Sequence, residues 1–221
     1  MKKLYTINTV NNFMDIIFKP FGLPFMQSHP EVEIYNIMDD SLLKDTLAAG
    51  QMTPAVATRM LAYMQAAQAG GADGVIVTCT SVNAATAWIR PLLSIPVMNI
   101  EEPVAQAAVE SGKRIGVLAT LSTSPAAIGR TIQKAADEKG KQVIIVNRVA
   151  EGAFDALCAG DREKHDSMVN EALYNLAREV DVIAFAQISM SLLRHDPINV
   201  PLYKIGVSGF DRILDLMNAR E

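Results

Sequence analysis

The stretch Gly71-Ala72-Asp73-Gly74-Val75-Ile76-Val77-Thr78-Cys79-Thr80-Ser81-Val82-Asn83 sets the pattern for the whole chain. Its middle is a short apolar run that follows glycines, which predicts a buried strand. Residues 84–93 contain good helix formers, so Thr80 or Ser81 is expected to cap a helix whose first turn carries unpaired N–H groups. Cys79 is then at a strand-to-helix turn, where a thiol pKa can fall and backbone N–H groups can hold a carboxylate. The alternative for Cys79 is a small buried apolar residue at the end of a strand.

The composition is ordinary for a globular protein. The chain has 221 residues, of which 50% are hydrophobic and 20% charged, enough for one large domain or two small ones. A net charge of −4 without a basic run gives no electrostatic footprint for nucleic acid or an anionic membrane. No apolar run reaches the length of a membrane span. Any signal-peptide core is interrupted by Thr6, Asn8, Thr9, Asn11 and Asn12. Cys79 and Cys158 do not make a disulfide scaffold, so we expect a cytoplasmic protein.

The second half of the chain repeats the first. Leu47-Ala48-Ala49-Gly50 matches Leu157-Cys158-Ala159-Gly160 at an offset of 160 − 50 = 110, and Ile95-Pro96-Val97 matches Val200-Pro201-Leu202 at 200 − 95 = 105. A slowly drifting offset is what small loop deletions produce, although coincidence is the alternative in any protein that alternates strands and helices. Each copy indicates βαβ crossovers with mostly parallel strands.

We therefore predict an α/β fold with two small doubly wound parallel-sheet (Rossmann-like) domains related by internal duplication. The first domain comprises residues 1–99 plus 207–221 and carries Cys79; the second comprises residues 100–206. Ligands in such sheets bind beyond the carboxyl ends of the strands, so matching strand ends are expected to line one shared cleft.

Polar residues at these strand ends are candidates for substrate binding. Their hydroxyl, amide and backbone N–H groups suit the oxygens of a carboxylate. The candidates are Asn8, Thr80, Ser81, Asn83, Thr120, Ser122, Thr123 and Ser189. Ser124 is expected to cap the following helix instead. Residues 13–26 are apolar but broken by Pro20, Gly22 and Pro24, so no element is predicted for them; this segment is a candidate cover for the site.

Other titratable residues are weaker candidates. His29 and His165 are predicted to be solvated, and Cys158 is predicted to be a small buried residue. His195 and Glu151 follow strands of the second copy and can approach the cleft, although an exposed loop residue is the common case for either. The sequence has no glycine-rich nucleotide motif and no metal-ligand spacing, so we expect neither a cofactor nor a metal.

Three segments together carry a resemblance to a known family. The strand that ends in Cys79-Thr80-Ser81, the segment Arg114-Ile115-Gly116-Val117-Leu118-Ala119-Thr120 and the strand Asp181-Val182-Ile183 resemble the cofactor-independent Asp/Glu/hydantoin racemase superfamily. The resemblance implies that a cysteine from each half flanks the substrate α-carbon, one removing its proton and the other delivering one. It places the first at Cys79, whereas the second position holds Gln187, which cannot exchange a proton at neutral pH.

The resemblance implies a racemase or isomerase that acts on a small carboxylate at the carbon next to the carboxylate or carbonyl. Cys79 is then the acid/base or nucleophile, and Gln187 is its counterpart in the catalytic pair. Two alternatives remain open: a single-cysteine decarboxylase or lyase similar to arylmalonate decarboxylase, whose thiol comes from the other half, and a non-catalytic relative that binds a small carboxylate. Such relatives are often dimers or larger, so we expect a homo-oligomer.

Overall fold

The computed structural model describes residues 1–220, and its strands form two four-stranded parallel sheets. The strands of this part of the chain are Lys2–Asn8 (β1), Val32–Met38 (β2), Gly74–Val77 (β3), Val97–Asn99 (β4), Arg114–Ala119 (β5), Ile144–Val149 (β6), Val182–Phe185 (β7) and Leu202–Tyr203 (β8). Every strand pair is parallel.

Helices connect the strands in both sheets. The α-helices are Leu23–Ser28 (α1), Ser41–Ala49 (α2), Pro54–Ala69 (α3), Thr86–Ile89 (α4), Glu102–Ser111 (α5), Ser124–Glu138 (α6), Ala153–Cys158 (α7), Arg162–Leu176 (α8) and Val207–Asn218 (α9). A π-helix spans Met14–Gly22, and 3₁₀ turns span Thr80–Ala85, Arg90–Leu92 and Ile188–Met190.

The chain forms two compact units, each with one sheet. The first unit comprises Met1–Ile100 and the segment that begins at Gly206, and the second comprises Glu101–Ile205. The strand order is β2-β1-β3-β4 in the first sheet and β6-β5-β7-β8 in the second. This is one order repeated, as an internal duplication requires. The predicted α/β fold with two parallel sheets is confirmed.

The core of the first unit explains why the inner strand β3 is a continuous apolar run. Val75 and Val77 of β3 pack with Met60 and Met64 of α3 in one buried cluster. The start of α3 follows its sequence signal, because the Thr53 side chain accepts a hydrogen bond from Val56 N at 3.3 Å. Strands buried on both faces need continuous hydrophobic runs, which is the pattern of β3.

Residues 13–26, for which no element was predicted, are helical. The π-helix Met14–Gly22 contains Pro20, and α1 follows it directly with Pro24 in its first turn. Proline is tolerated in a first turn, where its missing N–H has no intrahelical partner in any case. Pro20 lies inside a helix, where it would interrupt a regular α-helix, and the wider π-type turn accommodates it.

A glycine in α9 lies close to the backbone of Ile100. A Cβ atom on Gly209 would lie 2.5 Å from Ile100 Cγ1 and 2.8 Å from the Ile100 carbonyl oxygen. Because one contact is with backbone, side-chain rotation cannot relieve it. We therefore expect Gly209→Ala to lower the free energy of unfolding by about 1–3 kcal/mol through overpacking, measured by urea denaturation.

Gly129 in α6 is the matched control for this substitution. A Cβ atom there would meet only Ile145 Cδ1, at 3.9 Å, which is ordinary contact distance. Gly129→Ala should therefore stabilise the protein by up to about 1 kcal/mol, the usual difference between the two residues inside a helix. Equal effects of the two substitutions would contradict the close packing of α9 on Ile100.

Candidate active site

Cys79 lies two residues beyond the end of β3, an inner strand of the first sheet. Thr78 N donates to Ile7 O at 3.1 Å and continues the strand pairing up to the cysteine. Cys79 itself is extended (φ −118°, ψ 114°), is partly exposed, and immediately precedes the turn Thr80–Ala85. The N-cap position is occupied by Cys79, so the prediction that Thr80 or Ser81 caps this helix is wrong.

The helix predicted over residues 84–93 is divided into short pieces. Thr86 Oγ1 donates to Asn83 O at 2.7 Å, and Asn99 Nδ2 donates to Thr86 Oγ1 at 2.7 Å. Asn99 Nδ2 also donates to Asn83 O at 3.3 Å. Hydroxyl and amide side chains that bond to nearby backbone compete with regular helix formation, which explains the division. These bonds fix the turn that follows Cys79.

Gln187 occupies the corresponding position in the second unit. It lies two residues beyond the end of β7, again an inner strand, and Ala186 N donates to Leu118 O at 2.8 Å. Its backbone is extended (φ −143°, ψ 141°) and leads into the turn Ile188–Met190. Cys79 and Gln187 are therefore equivalent positions within their own sheets.

The side chain of Gln187 is held by the turn after β5. Its Oε1 atom accepts hydrogen bonds from Thr120 N at 2.6 Å, Thr120 Oγ1 at 3.1 Å and Leu121 N at 3.3 Å. The two backbone N–H donors fix which end of the amide is oxygen, because an amide nitrogen cannot accept from them. Gln187 is thus an ordered acceptor, only 8% exposed, and not a proton carrier.

Asn8 is fully buried at the carboxyl end of β1. Its Oδ1 accepts a hydrogen bond from Thr78 Oγ1 at 2.9 Å, and its Nδ2 donates to Thr6 Oγ1 at 2.7 Å. Thr78 is the residue before Cys79, and sequence reasoning missed it. The available signal was a hydroxyl within a buried apolar run, since such a group must find a partner. Asn8 thereby fixes the backbone that leads to the thiol.

Asp39 adds an ordered carboxylate at the same edge of the first sheet. Asp39 N donates to Asn8 O at 3.0 Å, and its carboxylate accepts from Ser41 N at 2.9 Å and Tyr63 Oη at 2.8 Å. Burial alone would raise the pKa of Asp39, but the hydrogen bonds from Ser41 and Tyr63 outweigh it and lower the pKa below the ordinary 3.8. The Asp39 carboxylate therefore stabilises the loop after β2.

The remaining predicted binding residues follow the strands to which they were assigned. Thr80, Ser81 and Asn83 are buried in the turn after β3, Thr120 is buried after β5, and Ser189 is buried after β7. Ser122 is exposed and Thr123 half-buried. Ser124 does not cap α6 but is its first residue, and its Oγ atom is buried without a hydrogen-bond partner among residues 1–220.

The predictions that His165 is solvated and that Cys158 is buried are both wrong. His165 is fully buried in α8, and its Nδ1 atom lies 2.7 Å from Asp166 Oδ1. Cys158, predicted to be buried, is exposed at the end of α7. His29 is half-buried with its ring 4.8 Å from that of Phe25. The periodicity of a helix shows which of its faces is polar. It does not show whether another part of the chain packs on that face and buries a residue such as His165.

His195 and Glu151 remain in loops of the second unit. His195 Nδ1 lies 2.8 Å from Asp196 O, and Glu151 is exposed after β6. Sequence reasoning also overlooked Lys204, which follows β8. Its Nζ donates to Leu193 O at 2.9 Å and lies 5.7 Å from the centre of the Phe185 ring, and burial lowers the pKa of Lys204.

The fold and these strand ends define a class: a duplicated α/β protein with one thiol, and an amide at the equivalent position of the repeat. The profile of the Asp/Glu/hydantoin racemase family matches residues 23–206. The chain belongs to this family, which confirms the resemblance found in the sequence.

Solved structures agree on the fold. Glutamate racemase RacE1 from Bacillus anthracis is 17% identical with a TM-score of 0.74, and the match covers 99% of this chain and 82% of that one. An aspartate racemase homologue from Pyrococcus horikoshii is 15% identical with a TM-score of 0.71, covering 99% and 100%. Allantoin racemase from Pseudomonas fluorescens is 20% identical with a TM-score of 0.66, covering 99% and 92%.

No functionally curated protein matched the sequence. Within residues 1–220, no helix has the length and apolar character to cross a membrane. In the same part of the chain, no three His, Cys, Asp or Glu side chains are grouped to hold a metal ion.

Proposed function

We propose that this protein is a cofactor-independent enzyme that transfers a proton at the carbon next to a carboxylate or carbonyl in a small substrate. Cys79 is the proton carrier. The observation that supports this most is the position of Cys79: a partly exposed thiol beyond an inner strand, at the edge where parallel sheets bind ligands. Family membership supports the same class of chemistry.

The chemistry needs a base and a set of hydrogen-bond donors from the protein. A carbon next to a carboxylate is a weak acid, so its proton is removed only if a base lies within reach and donors stabilise the developing oxyanion. A thiolate is a suitable base because its conjugate acid titrates near neutral pH. The buried turn after Cys79, with the hydroxyls of Thr80 and Ser81, is the proposed source of donors in the first unit. Ser122 is proposed for the second unit, because both Thr120 N and Thr120 Oγ1 already donate to Gln187 Oε1.

Gln187 determines which reactions are favoured within this class. A racemase with two proton carriers needs a second one on the opposite face of the carbon, and a side-chain amide is neither a general acid nor a general base at neutral pH. Chemistry on one face, such as protonation of the enolate that a decarboxylation leaves, needs a single thiol. The bonded state of Gln187 therefore favours a decarboxylase or lyase as the second candidate function.

Exchange of the substrate proton with solvent deuterium tests the proposal. Small dicarboxylates, amino acids, hydantoins and malonates are first screened for thermal stabilisation of the protein, because a ligand that binds the native state raises its melting temperature. Each stabilising compound is then incubated with enzyme in D₂O and analysed by mass spectrometry and chiral chromatography. We expect deuterium at the carbon next to the carboxylate, with slow loss of chirality.

The outcomes of this assay separate the candidates. Loss of carbon dioxide with one deuterium incorporated identifies the decarboxylase. Rapid incorporation with full loss of chirality would overturn the single-thiol mechanism. Compounds that bind but neither exchange nor react would indicate a non-catalytic carboxylate-binding protein and refute the proposed enzyme.

A further inference from the structure

Strand β6 is an edge strand, and no other strand of residues 1–220 pairs with its outer side. Ile144 N and Ala150 N each donate at 2.8 Å to a carbonyl oxygen in or next to β5. Alternate residues of a strand face the same neighbour, so the residues between these positions alternate between β5 and the outer side. The backbone groups that turn outward belong to Ile145, Asn147 and Val149.

β6 lacks the features that usually protect an edge strand. Short length, prolines, bulges and charged side chains discourage pairing with another chain. The edge strands β4 and β8 are only three and two residues long, whereas β6 has six residues, no proline and an unbroken register with β5. Its one charged residue, Arg148, already has a partner, because Arg148 Nη2 lies 2.8 Å from Glu179 Oε1. The outer side of β6 is therefore open to pairing.

The charges at the two ends of β6 suit pairing with a second copy of the same strand. A twofold axis at Asn147, the middle one of the outward residues, pairs two copies of β6 antiparallel, so the start of each strand lies beside the end of the other. Lys141 precedes the start of the strand and Glu151 follows its end, and both are exposed. In this register the two residues are diagonal neighbours of opposite charge, an arrangement that stabilises an antiparallel pair.

Strand β2 is the equivalent edge of the first sheet, and its charges oppose the same kind of pairing. Asn36 and Asn147 each lie two residues before the end of their strand. Asp39 N donates to Asn8 O at 3.0 Å toward β1, so the backbone groups of Asn36 turn outward as well. Self-pairing of β2 about Asn36 would place Glu33 directly opposite Asp39 of the second copy. Like charges in that position are destabilising, which distinguishes β6 from β2.

A depression beside β6 is placed to receive a side chain from the second copy. It has a volume of about 240 Å³ and lies between the end of β6 and α8, where Ala150, Met168 and Ala172 contribute to its lining. Val146 packs against the buried cluster that includes residues of α8, so Ile144, two residues away, points to the same face of the sheet. In the antiparallel pair Ile144 of one copy lies opposite Ala150 of the other. Ile144 is 49% exposed, and covering it there removes apolar surface from water.

We propose that two copies of this chain associate edge to edge through β6, with the two strands antiparallel about a twofold axis at Asn147. The outward N–H and C=O groups of Ile145 then bond to those of Val149 across the interface, and those of Asn147 bond to Asn147 of the other copy. A second copy is the favoured occupant because one strand supplies the opposite charges, the exposed isoleucine and the depression that receives it. The two four-stranded sheets become one continuous sheet.

Substitutions at Asn147 test this interface, because residue 147 faces its own copy across the proposed axis. Asn147 is exposed, so Asn147→Lys and Asn147→Asp each place like charges opposite each other without changing the core. The wild type is expected to form a concentration-dependent dimer in sedimentation-velocity runs. Either variant alone should raise the dimer dissociation constant about tenfold or more. An equimolar mixture of the two variants should recover the dimer, because opposite charges then meet at the axis.

Asn36→Lys is the matched control, since it puts the same charge at the equivalent edge position of β2 and should leave the dimer dissociation constant unchanged. Far-UV circular dichroism of each variant verifies that it is folded. A wild type that is monomeric at every protein concentration would overturn the proposal and leave the edge of β6 to a strand from another protein. A dimer that neither charge at residue 147 weakens, or that the mixture of variants does not recover, would place the interface elsewhere and overturn it equally.

Discussion

Cys79→Ser is expected to reduce the rate of α-proton exchange with solvent by about 100- to 10,000-fold, the usual contribution of a general acid or base. Serine has nearly the shape of cysteine but ionises far above neutral pH, so the substitution removes the proton carrier and leaves the turn in place. The measurement is deuterium incorporation by mass spectrometry, with the most strongly stabilising compound from the thermal screen as substrate.

Cys158→Ser is the matched control for this experiment. Cys158 as a whole residue is exposed at the end of α7. Neighbouring atoms still remove part of the water around its sulfur, and this desolvation, together with the Asp155 carboxylate, raises the pKa of the Cys158 thiol. A thiol with a raised pKa is a poor nucleophile and base at neutral pH, so Cys158→Ser should leave the exchange rate unchanged. A Cys79→Ser variant that keeps the wild-type rate, or a Cys158→Ser variant that loses it, would refute the assignment of the thiol.

The alternation of strands and helices could be predicted from the sequence because it occurs twice, once in each half of the chain. Buried parallel strands need continuous apolar residues, so runs such as Gly74–Val77 and Val182–Phe185 are recognisable one by one. These runs occur in the same order in both halves of the chain, and this order predicted the topology of the two sheets. A single apolar run could not have predicted it. Strand ends are polar where the chain leaves the sheet, and this located Cys79 and Gln187.

Other elements depended on contacts that a sequence does not display. The π-helix Met14–Gly22 tolerates a proline by a change of hydrogen-bond pattern, and composition alone indicated a break. The residues around His165 predict a polar, solvated helix face, yet His165 is fully buried. Both cases have the same origin, since tertiary packing overrides local preference where one segment is covered by another.

The contacts of Gln187 show a further limit of sequence reasoning. Thr120 N and Leu121 N hold its side chain, and backbone donors have no residue-type signature. Gln187 was recognised in the sequence as a missing thiol, whereas its contacts support a second interpretation, that of an acceptor fixed by three donors.

Gln187→Cys is expected to give the protein a second proton carrier and to increase the rate of substrate inversion by about 100-fold or more. The new thiol would be at the position equivalent to Cys79 in the repeat. Exchange on one face of the carbon leaves its configuration unchanged, whereas a carrier on each face allows inversion. The measurement is the appearance of the opposite enantiomer from an optically pure substrate, followed by chiral chromatography alongside deuterium incorporation.

Gln187→Ser separates the thiol from the loss of the amide. Both variants remove Oε1 and leave Thr120 N and Leu121 N without their acceptor, which should cost about 1–3 kcal/mol of folding stability in each. Only the cysteine exchanges protons near neutral pH, so the difference between their inversion rates measures the second thiol alone. If both variants invert the substrate equally, the amide was blocking a water or another group that carries the proton. If neither inverts it, the turns of the two units do not act on the same carbon, and a two-cysteine mechanism cannot be rebuilt on this chain by one substitution.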